Sequence, residues 1–365
     1  MNLNDLWQNA WNFYQNKEFQ SALKLLYQID REQDDATVCF VIAQCLWQQG
    51  NYSVAINYFY KAYDLDKNQV QYSLALIKAL ISLDKKNKAK KVVAAALSLF
   101  GNHQELILYQ VLFEGNTVDE INMNKLIDIF NDNQATQNII NLCLASKLFK
   151  KNKHENISQL VYSSHKKTAI YECYDRIYRS SKSLKLFNFP KDLLKYALKK
   201  SSGCGHIIEA GVYFGQSINM IAKSMSNQSI IGFDSFEGLP EDWNDKEAFG
   251  SYSTKGQLPK VKKNVKLIKG WFKDTIPEFI NSNPAPIRFL HIDCDIYSST
   301  KDILNALSAS IGVGTIILFD DFFGYNGYEN HEWKALNEFV NEFKFNIEFL
   351  GFCPLGRELA VKVLA

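Results

Sequence analysis

The sequence has 365 residues, of which 47% are hydrophobic, and its 41 basic and 39 acidic residues give a formal net charge of +2. The length predicts about two domains, the apolar fraction excludes global disorder, and the balanced charge argues against nucleic acid or an anionic membrane as the main partner. All seven prolines and fifteen of the eighteen glycines lie at or beyond residue 190, so a single uniform fold is also excluded.

The cysteines and the N-terminal segment indicate a cytoplasmic protein. Seven cysteines, with no CxxC pair among them, predict free thiols in a reducing compartment. The segment MNLNDLWQNAWN has neither a basic start nor an apolar run, so we expect no signal peptide. No stretch of about 18 apolar residues occurs, so we expect no membrane span.

Residues 1–115 carry a helical repeat with a period of 33–34 residues. Two small positions flank a turn position in three successive copies: Ala10, Phe19 and Ala22; Ala43, Tyr52 and Ala55; Ile77, Lys86 and Ala89. The pattern resembles the tetratricopeptide repeat, most clearly in QQGNYSVAINYFYKAYDLDK at residues 48–67. Stacked helical pairs of this kind predict a platform for a protein partner or for self-association, without chemistry of its own. Residues 116–185 continue as a helical connector without an alignable repeat.

The region 186–365 alternates short apolar runs with helical stretches. The predicted strands are 206–210, 229–233, 265–268, 287–292 and 315–319, followed by a hairpin of 346–352 and 358–364. This βαβ order predicts an α/β domain of the Rossmann-like type, a mostly parallel seven-stranded sheet with a terminal antiparallel hairpin. Ligands of such sheets bind beyond the carboxyl ends of the strands.

The first three strand ends fit a ligand that carries an anionic group and a nucleoside. Gly211 permits a tight turn, and Gly215 and Ser217 open a helix whose N-terminus favours a carboxylate or other anion. The spacing is not GxGxxG, so a pyrophosphate is disfavoured. Asp234 can accept both ribose hydroxyls or cap a helix, and Trp271 with Phe272 can flank a purine or pack under a loop.

The fourth and fifth strand ends are acidic. At the end of the fourth strand, the side chains of Asp293 and Asp295 are two positions apart and therefore point to the same side. Asp320 and Asp321 lie at the end of the fifth strand. Four carboxylates at two neighbouring strand ends repel one another unless a cation compensates, and hard divalent ions prefer carboxylate oxygens. The sequence therefore predicts a metal or cationic ligand here.

Together these segments resemble the macrocin O-methyltransferase family of class I S-adenosylmethionine-dependent enzymes. The matching stretches are EAGVYFGQSINMIA, GFDSFEGLPEDW, VKLIKGWFKDTIPEF, FLHIDCDIYSSTKDIL and GTIILFDDFFGYNGYENHEWKALNEF. The resemblance covers about residues 203–365 and leaves out the repeats.

The resemblance implies a role for each strand-end residue. Glu209, Gly211, Tyr213, Gly215 and Ser217 would hold the amino acid part of S-adenosylmethionine, Asp234 the ribose, and Trp271 and Phe272 the adenine. Asp293, which also borders the cofactor, would ligate Mg²⁺ or a similar ion with Asp320 and Asp321. Catechol-type enzymes carry a lysine base where this chain has Ile296, so the base would be Asp295, with His331 as the alternative.

The residues and the resemblance together predict a metal-dependent O-methyltransferase, and the resemblance implies an acceptor hydroxyl on a sugar or glycosylated metabolite. A long segment, 236–262, would close over the acceptor as a lid, although it can also be a surface insertion. One alternative function is a nicotinamide-dependent oxidoreductase, which should carry GxGxxG and has no need of Asp320 and Asp321. The other is a non-catalytic scaffold, against which the complete acidic set argues.

Overall fold

The computed structural model describes residues 2–114, 184–244, 247–325, 327–353 and 356–364. The chain divides into two compact units, Met1–Ile140 and Asn141–Ala365. The predicted helical connector at 116–185 lies outside the described residues except for its last two positions. Within the described ranges, no helix combines the length and the apolar character needed to cross a lipid bilayer.

The described part of the first unit is helical. Its elements are α1 (Leu3–Gln15), α2 (Phe19–Glu32), α3 (Ala36–Gln48), α4 (Tyr52–Leu65), α5 (Val70–Ser82), α6 (Lys86–Phe100) and α7 (Gln104–Glu114). The helices α1 and α2, α3 and α4, and α5 and α6 pack as consecutive pairs. These are the three helical pairs that the sequence period predicts.

The repeat positions explain how the helices of each pair approach closely. A further repeat position lies near the end of α2, α4 and α6, at Ile29, Ala62 and Ala96. The residues at this position and at the two positions that flank the turn are at most 1% exposed in all three copies: Ala10, Ala22, Ile29, Ala43, Ala55, Ala62, Ile77, Ala89 and Ala96. The turn position is the first residue of α2, α4 and α6. Its Tyr52 ring lies edge-on to Trp47 at 4.7 Å, whereas Lys86 of the degenerate third copy lies 4.0 Å from Asp84.

The second unit contains one mixed sheet with helices between its strands. Its elements are β1 (Lys185–Leu186), α8 (Pro190–Lys200), β2 (His206–Ala210), α9 (Gln216–Ser224), β3 (Ile230–Asp234), β4 (Val265–Lys269), α10 (Phe272–Ser282), β5 (Ile287–Ile292), α11 (Tyr297–Leu307), β6 (Ile316–Phe319), α12 (Glu332–Phe343), β7 (Asn346–Cys353) and β8 (Glu358–Leu364). The strand order is β1-β7-β8-β6-β5-β2-β3-β4. All pairs are parallel except those of β8 with β6 and β7.

The sheet confirms the predicted fold class and adds one element to it. The five parallel strands and the terminal hairpin lie within one residue of their predicted bounds. The added strand is β1, whose two residues pair in parallel with Gly351 and Phe352 of β7. The described strands therefore number eight rather than the predicted seven.

Two apolar clusters cover the two faces of the sheet. Ile207 packs in the cluster that contains Leu193 of α8 and Ile218 of α9. Its neighbour Ile208 points the other way, into the cluster that contains Phe279 of α10 and Leu304 of α11. Successive strand residues alternate between faces, so strands covered on both faces read as continuous apolar runs. The carboxyl ends of the strands are therefore where a ligand can reach the sheet.

Candidate active site

A cleft of about 260 Å³ lies at the carboxyl ends of β2 to β6. Nine of the predicted site residues line it: Gly211, Tyr213, Asp234, Trp271, Phe272, Asp293, Asp295, Asp320 and Asp321. The parallel order of these strands places their carboxyl ends at one edge of the sheet. The topology therefore brings together residues that are up to 110 positions apart in the chain.

The turn after β2 forms one wall of the cleft and requires glycine. Gly211 has a φ of +93°, and a Cβ there would lie 1.7 Å from the carbonyl oxygen of Asp293. Tyr213 follows in the left-handed region with a φ of +48°, and its ring meets the edge of Tyr252 at 5.8 Å. The turn thus presents backbone and an aromatic ring to the cleft.

Asp234 both lines the cleft and organises this turn. Its Oδ2 accepts the backbone N–H groups of Val212 at 2.7 Å and Tyr213 at 2.8 Å, and its Oδ1 accepts that of Phe236. A carboxylate oxygen has more than one acceptor direction, so these bonds leave capacity for a ligand hydroxyl.

Four predicted site residues do not line the cleft. Glu209 is fully buried in β2. Burial raises the pKa of its carboxyl group, and hydrogen bonds with His291 and Ser217 partly offset that rise. Gly215 is the N-terminal cap of α9, with a φ of +75°. His331 is half-buried beside the Tyr325 ring, and burial lowers its pKa. The lining of the cleft therefore does not support direct ligand contact by these four residues, and their roles stay predictions.

The acidic end of the cleft carries four carboxyl groups at close quarters. Burial, followed by the charge of Asp320, raises the pKa of Asp293 well above its ordinary value. Burial and the charge of Asp321 do the same for Asp295, whose backbone is left-handed with a φ of +65°. The pKa of Asp321 is raised to about 6, by burial and by Asp320. Such crowding of like charges requires compensation by protons or by a cation.

His291 belongs to this acidic group and was not among the predicted site residues. It is 2% exposed, its Nδ1 lies 2.9 Å from Glu209 Oε2, and its Nε2 lies 3.7 Å from Asp320 Oδ1. One ring nitrogen of His291 and one oxygen each of Asp293 and Asp320 lie within 4.8 Å of one another, a spacing that can hold a metal ion. The signal in the sequence was strand alternation, since His291 precedes Asp293 by two positions.

Arg357 is a second residue that sequence reasoning missed. Its guanidinium Nη1 donates to Asp321 Oδ1 at 3.2 Å, and the group stands 5.2 Å from the centre of the Tyr325 ring. Arg357 lies at the start of the segment that leads into β8, which is antiparallel to β6. The terminal hairpin therefore brings the positively charged side chain of Arg357 to the acidic strand end.

The predicted lid segment contributes to the cleft. Gly238, Leu239, Pro240 and Tyr252 line it. The segment folds back on itself, because Leu239 N donates to Ser251 O and Gly250 N donates to Leu239 O, each at 2.9 Å. Trp243 lies edge-on to Tyr325, with ring centroids 5.7 Å apart. Closure over an acceptor stays a prediction.

Comparisons with known proteins agree with this architecture. Residues 208–322 match the family described as methyltransferase domain, and residues 36–69 match the tetratricopeptide repeat. These matches confirm a Rossmann-like methyltransferase domain that follows tetratricopeptide-like helices.

Two curated relatives are O-methyltransferases from Streptomyces. The 8-demethyl-8-(2,3-dimethoxy-alpha-L-rhamnosyl)-tetracenomycin-C 4'-O-methyltransferase of Streptomyces olivaceus is 30% identical over 32% of this chain and 53% of the relative. The demethyldecarbamoylnovobiocin O-methyltransferase of Streptomyces niveus is 28% identical over the same shares. The chain thus spans about half the length of these relatives.

Two solved structures are also similar to this chain. The O-methyltransferase NovP is 21% identical, covers 48% of this chain and 79% of its own, and has a TM-score of 0.39. The TDP-rhamnose 3'-O-methyltransferase CalS11 is 17% identical, covers 61% of this chain and 92% of its own, and has a TM-score of 0.34.

Proposed function

We propose that this chain, whose residues 208–322 match a methyltransferase domain, transfers a methyl group from S-adenosylmethionine to a hydroxyl of a sugar or glycosylated metabolite, assisted by a divalent cation. The observation that carries the proposal is the meeting of two features in one cleft. A nucleoside-compatible half contains Asp234 and Trp271, and an acidic half contains Asp293 and Asp320.

The first half fits the methyl donor. Gly211 leaves backbone without a side chain at the strand end, Asp234 offers carboxylate oxygens of the kind that accept ribose hydroxyls, and Trp271 with Phe272 offers apolar surface for adenine. Trp271 is 38% exposed, so its ring is accessible to a ligand. The donor would supply an electrophilic methyl group for an in-line displacement, and these residues would orient it.

The second half fits a divalent cation and a general base. The predicted metal residues Asp293, Asp320 and Asp321 supply hard oxygen ligands, and burial makes their uncompensated charge unfavourable. A bound cation would lower the pKa of the acceptor hydroxyl and fix its position. Asp295, which lines the same cleft, would accept the proton as methyl transfer proceeds. His331 is the second candidate for that step.

The acceptor class rests on chemistry and on the relatives. A hydroxyl is a poor nucleophile that benefits from a cation, unlike an amine. The relative from Streptomyces olivaceus is named for a rhamnosyl compound, which supports a glycosylated acceptor. The aromatic residues Tyr252 and Trp243 of the lid segment can stack on a sugar face. We further propose a cytoplasmic enzyme whose repeats bind a protein partner or a second copy of the chain.

Calorimetry and a methylation assay test the proposal. We expect S-adenosylmethionine to bind and NADH not to bind, and binding of NADH alone would favour the oxidoreductase. We expect D293A to abolish the transfer of a methyl group to a panel of glycosides, detected by mass spectrometry. The control E278A changes an exposed carboxylate on α10 and should retain turnover. Unchanged turnover in D293A would refute the cation assignment.

A further inference from the structure

The buried pair of Glu209 and His291 lies next to the proposed cation site. The two residues are register partners across β2 and β5, and both side chains are at most 3% exposed. Neither was predicted to bind metal, and neither lines the cleft. A charged or polar pair at this depth has to be explained by what it contacts.

We propose that His291 is a metal ligand, and that its Nε2 binds the same divalent cation as the carboxylates of Asp293 and Asp320. This inference rests on the proposed function for the presence of a cation. It goes beyond that function because the third protein ligand is the imidazole of His291 and not the carboxylate of Asp321. The kind of cation that the site prefers is then different.

The first argument is the orientation of the imidazole. Nδ1 of His291 lies 2.9 Å from Glu209 Oε2, a distance typical of a strong hydrogen bond to a carboxylate. This contact directs Nε2 towards Asp320. Histidines that bind metals usually donate their other ring N–H to a carboxylate or carbonyl, which fixes the ring and its tautomer. Glu209 occupies that supporting position here.

The second argument is distance. The 3.7 Å between His291 Nε2 and Asp320 Oδ1 is longer than an ordinary N–H···O hydrogen bond. Two ligand atoms that are each about 2.1 Å from one ion can lie this far apart. An oxygen of Asp293 completes the group, in which the three ligand atoms lie within 4.8 Å of one another.

The third argument concerns Asp321. Its Oδ1 accepts from Arg357 at 3.2 Å, and its carboxyl group also hydrogen-bonds to Asp295. The acidic set therefore separates into two parts. Asp293 and Asp320 lie with His291 at metal-ligand spacing, whereas Asp321 is hydrogen-bonded to a guanidinium and to the proposed base.

An imidazole in the ligand set alters metal preference. Carboxylate and water ligands suit Mg²⁺, whereas imidazole suits first-row transition ions such as Zn²⁺ and Fe²⁺. We therefore expect the site to discriminate against Mg²⁺ more strongly than an all-carboxylate site. Replacement of His291 by Asp should reduce that discrimination.

Pulsed EPR of the full-length protein loaded with Mn²⁺ tests the ligand directly, because the ¹⁴N nucleus of a coordinated imidazole modulates the electron spin echo. We expect this modulation in the wild type, its loss in H291Q, and its retention in H206Q. His206 is the matched control, since it begins β2 and its Nε2 contacts the Asn283 carbonyl at 2.8 Å. We also expect E209Q to raise the Mn²⁺ dissociation constant about 10–100-fold.

The wild-type spectrum can refute the assignment whatever the stability of the variants, and the loss of modulation in H291Q is needed to support it. Mn²⁺ bound without ¹⁴N modulation would overturn the assignment of His291, and so would a wild type that binds no divalent cation. Calorimetry with S-adenosylmethionine separates this result from the proposed function. If ¹⁴N modulation is found in the wild type and lost in H291Q but S-adenosylmethionine does not bind, the ligand assignment stands and the methyltransferase proposal fails.

Discussion

Gly211 and Asp293 approach so closely that a Cβ on Gly211 would lie 1.7 Å from the carbonyl oxygen of Asp293. The two residues directly follow the neighbouring strands β2 and β5, and Asp293 N donates to Ala210 O at 2.9 Å. The backbone contact therefore joins the half of the cleft proposed for the methyl donor to the half proposed for the cation.

We predict that G211A lowers the free energy of unfolding by at least about 3 kcal/mol, because the methyl group clashes with backbone that cannot move aside cheaply. The control G203A has a similar φ, +86° against +93°, but no atom lies within 4 Å of its new Cβ. It should cost only about 1–2 kcal/mol for the unfavourable backbone conformation. Urea unfolding measures both. Equal losses would show that the close approach contributes nothing.

Asp234 provides a second prediction. In D234A, the backbone N–H groups of Val212, Tyr213 and Phe236 lose their acceptor, and each unsatisfied donor costs about 1–3 kcal/mol if it stays buried. The turn should therefore rearrange, and we expect the dissociation constant for S-adenosylmethionine to rise at least tenfold by calorimetry. D242A is the control, because Asp242 is exposed and accepts the N–H of Phe249. Unchanged affinity in D234A would remove Asp234 from the cofactor site.

Strand alternation and strand-end rules predicted much of this fold and site. Apolar runs such as Ile287–Ile292 mark strands buried on both faces, and parallel order places their ends together. Asp234 and Asp293 were therefore assigned to one cleft from the sequence. The small repeat positions, such as Ala43 and Ala55, likewise identified the paired helices.

Contacts between distant segments could not be predicted in this way. Arg357 meets Asp321 because the terminal hairpin returns beside β6, and no local pattern encodes that pairing. Asp234 accepts three N–H groups from two turns in which Tyr213 and Phe236 are left-handed, a conformation unusual for a non-glycine residue. His291 was concealed in an apolar strand, where a buried histidine is ordinarily a packing residue until its partner Glu209 is known.

Two ion pairs in the helical unit test whether burial of the carboxylate increases its contribution to stability. Asp30 accepts hydrogen bonds from Lys61 at 2.8 Å and Tyr58 at 3.1 Å, and Asp34 binds the same lysine at 2.8 Å. Their side chains are 13% and 67% exposed, respectively. We predict that D30N destabilises the protein by about 1–3 kcal/mol and D34N by at most about 1 kcal/mol. Chemical denaturation compares them, and a larger loss in D34N would contradict the role of burial.

The choice between the two candidate bases can be made kinetically. Asp295 lines the cleft and hydrogen-bonds to Asp321, whereas His331 packs beside Tyr325 outside the lining. We predict that D295N lowers kcat about 10²–10⁴-fold, the usual contribution of a general base, with unchanged affinity for S-adenosylmethionine. H331Q should retain kcat within about threefold, since it removes no proton acceptor from the cleft. The opposite pattern would assign the base to His331.

The crowded carboxyl groups make stability depend on pH in an unusual direction. Burial and Asp320 raise the pKa of Asp321 from 3.8 to about 6, and burial also raises the pKa of Glu332. Between pH 3.8 and about 6, Asp321 of the native state holds a proton that the unfolded chain has lost. The free energy of unfolding therefore falls as the pH rises from about 4 to about 6. For Asp321 alone the change is about 3 kcal/mol.

We therefore predict that the metal-free protein is more resistant to urea at about pH 5 than at about pH 7, because Asp321, with its pKa raised to about 6, holds its proton in the native state at pH 5 and has lost it at pH 7. D321N removes one of the raised pKa values and should flatten this dependence. A saturating divalent cation binds the ionised carboxylates, so it should stabilise the protein more at pH 7 than at pH 5. Stability that rises steadily from pH 5 to pH 7 without added cation would show that these carboxyl groups are not crowded in the native state.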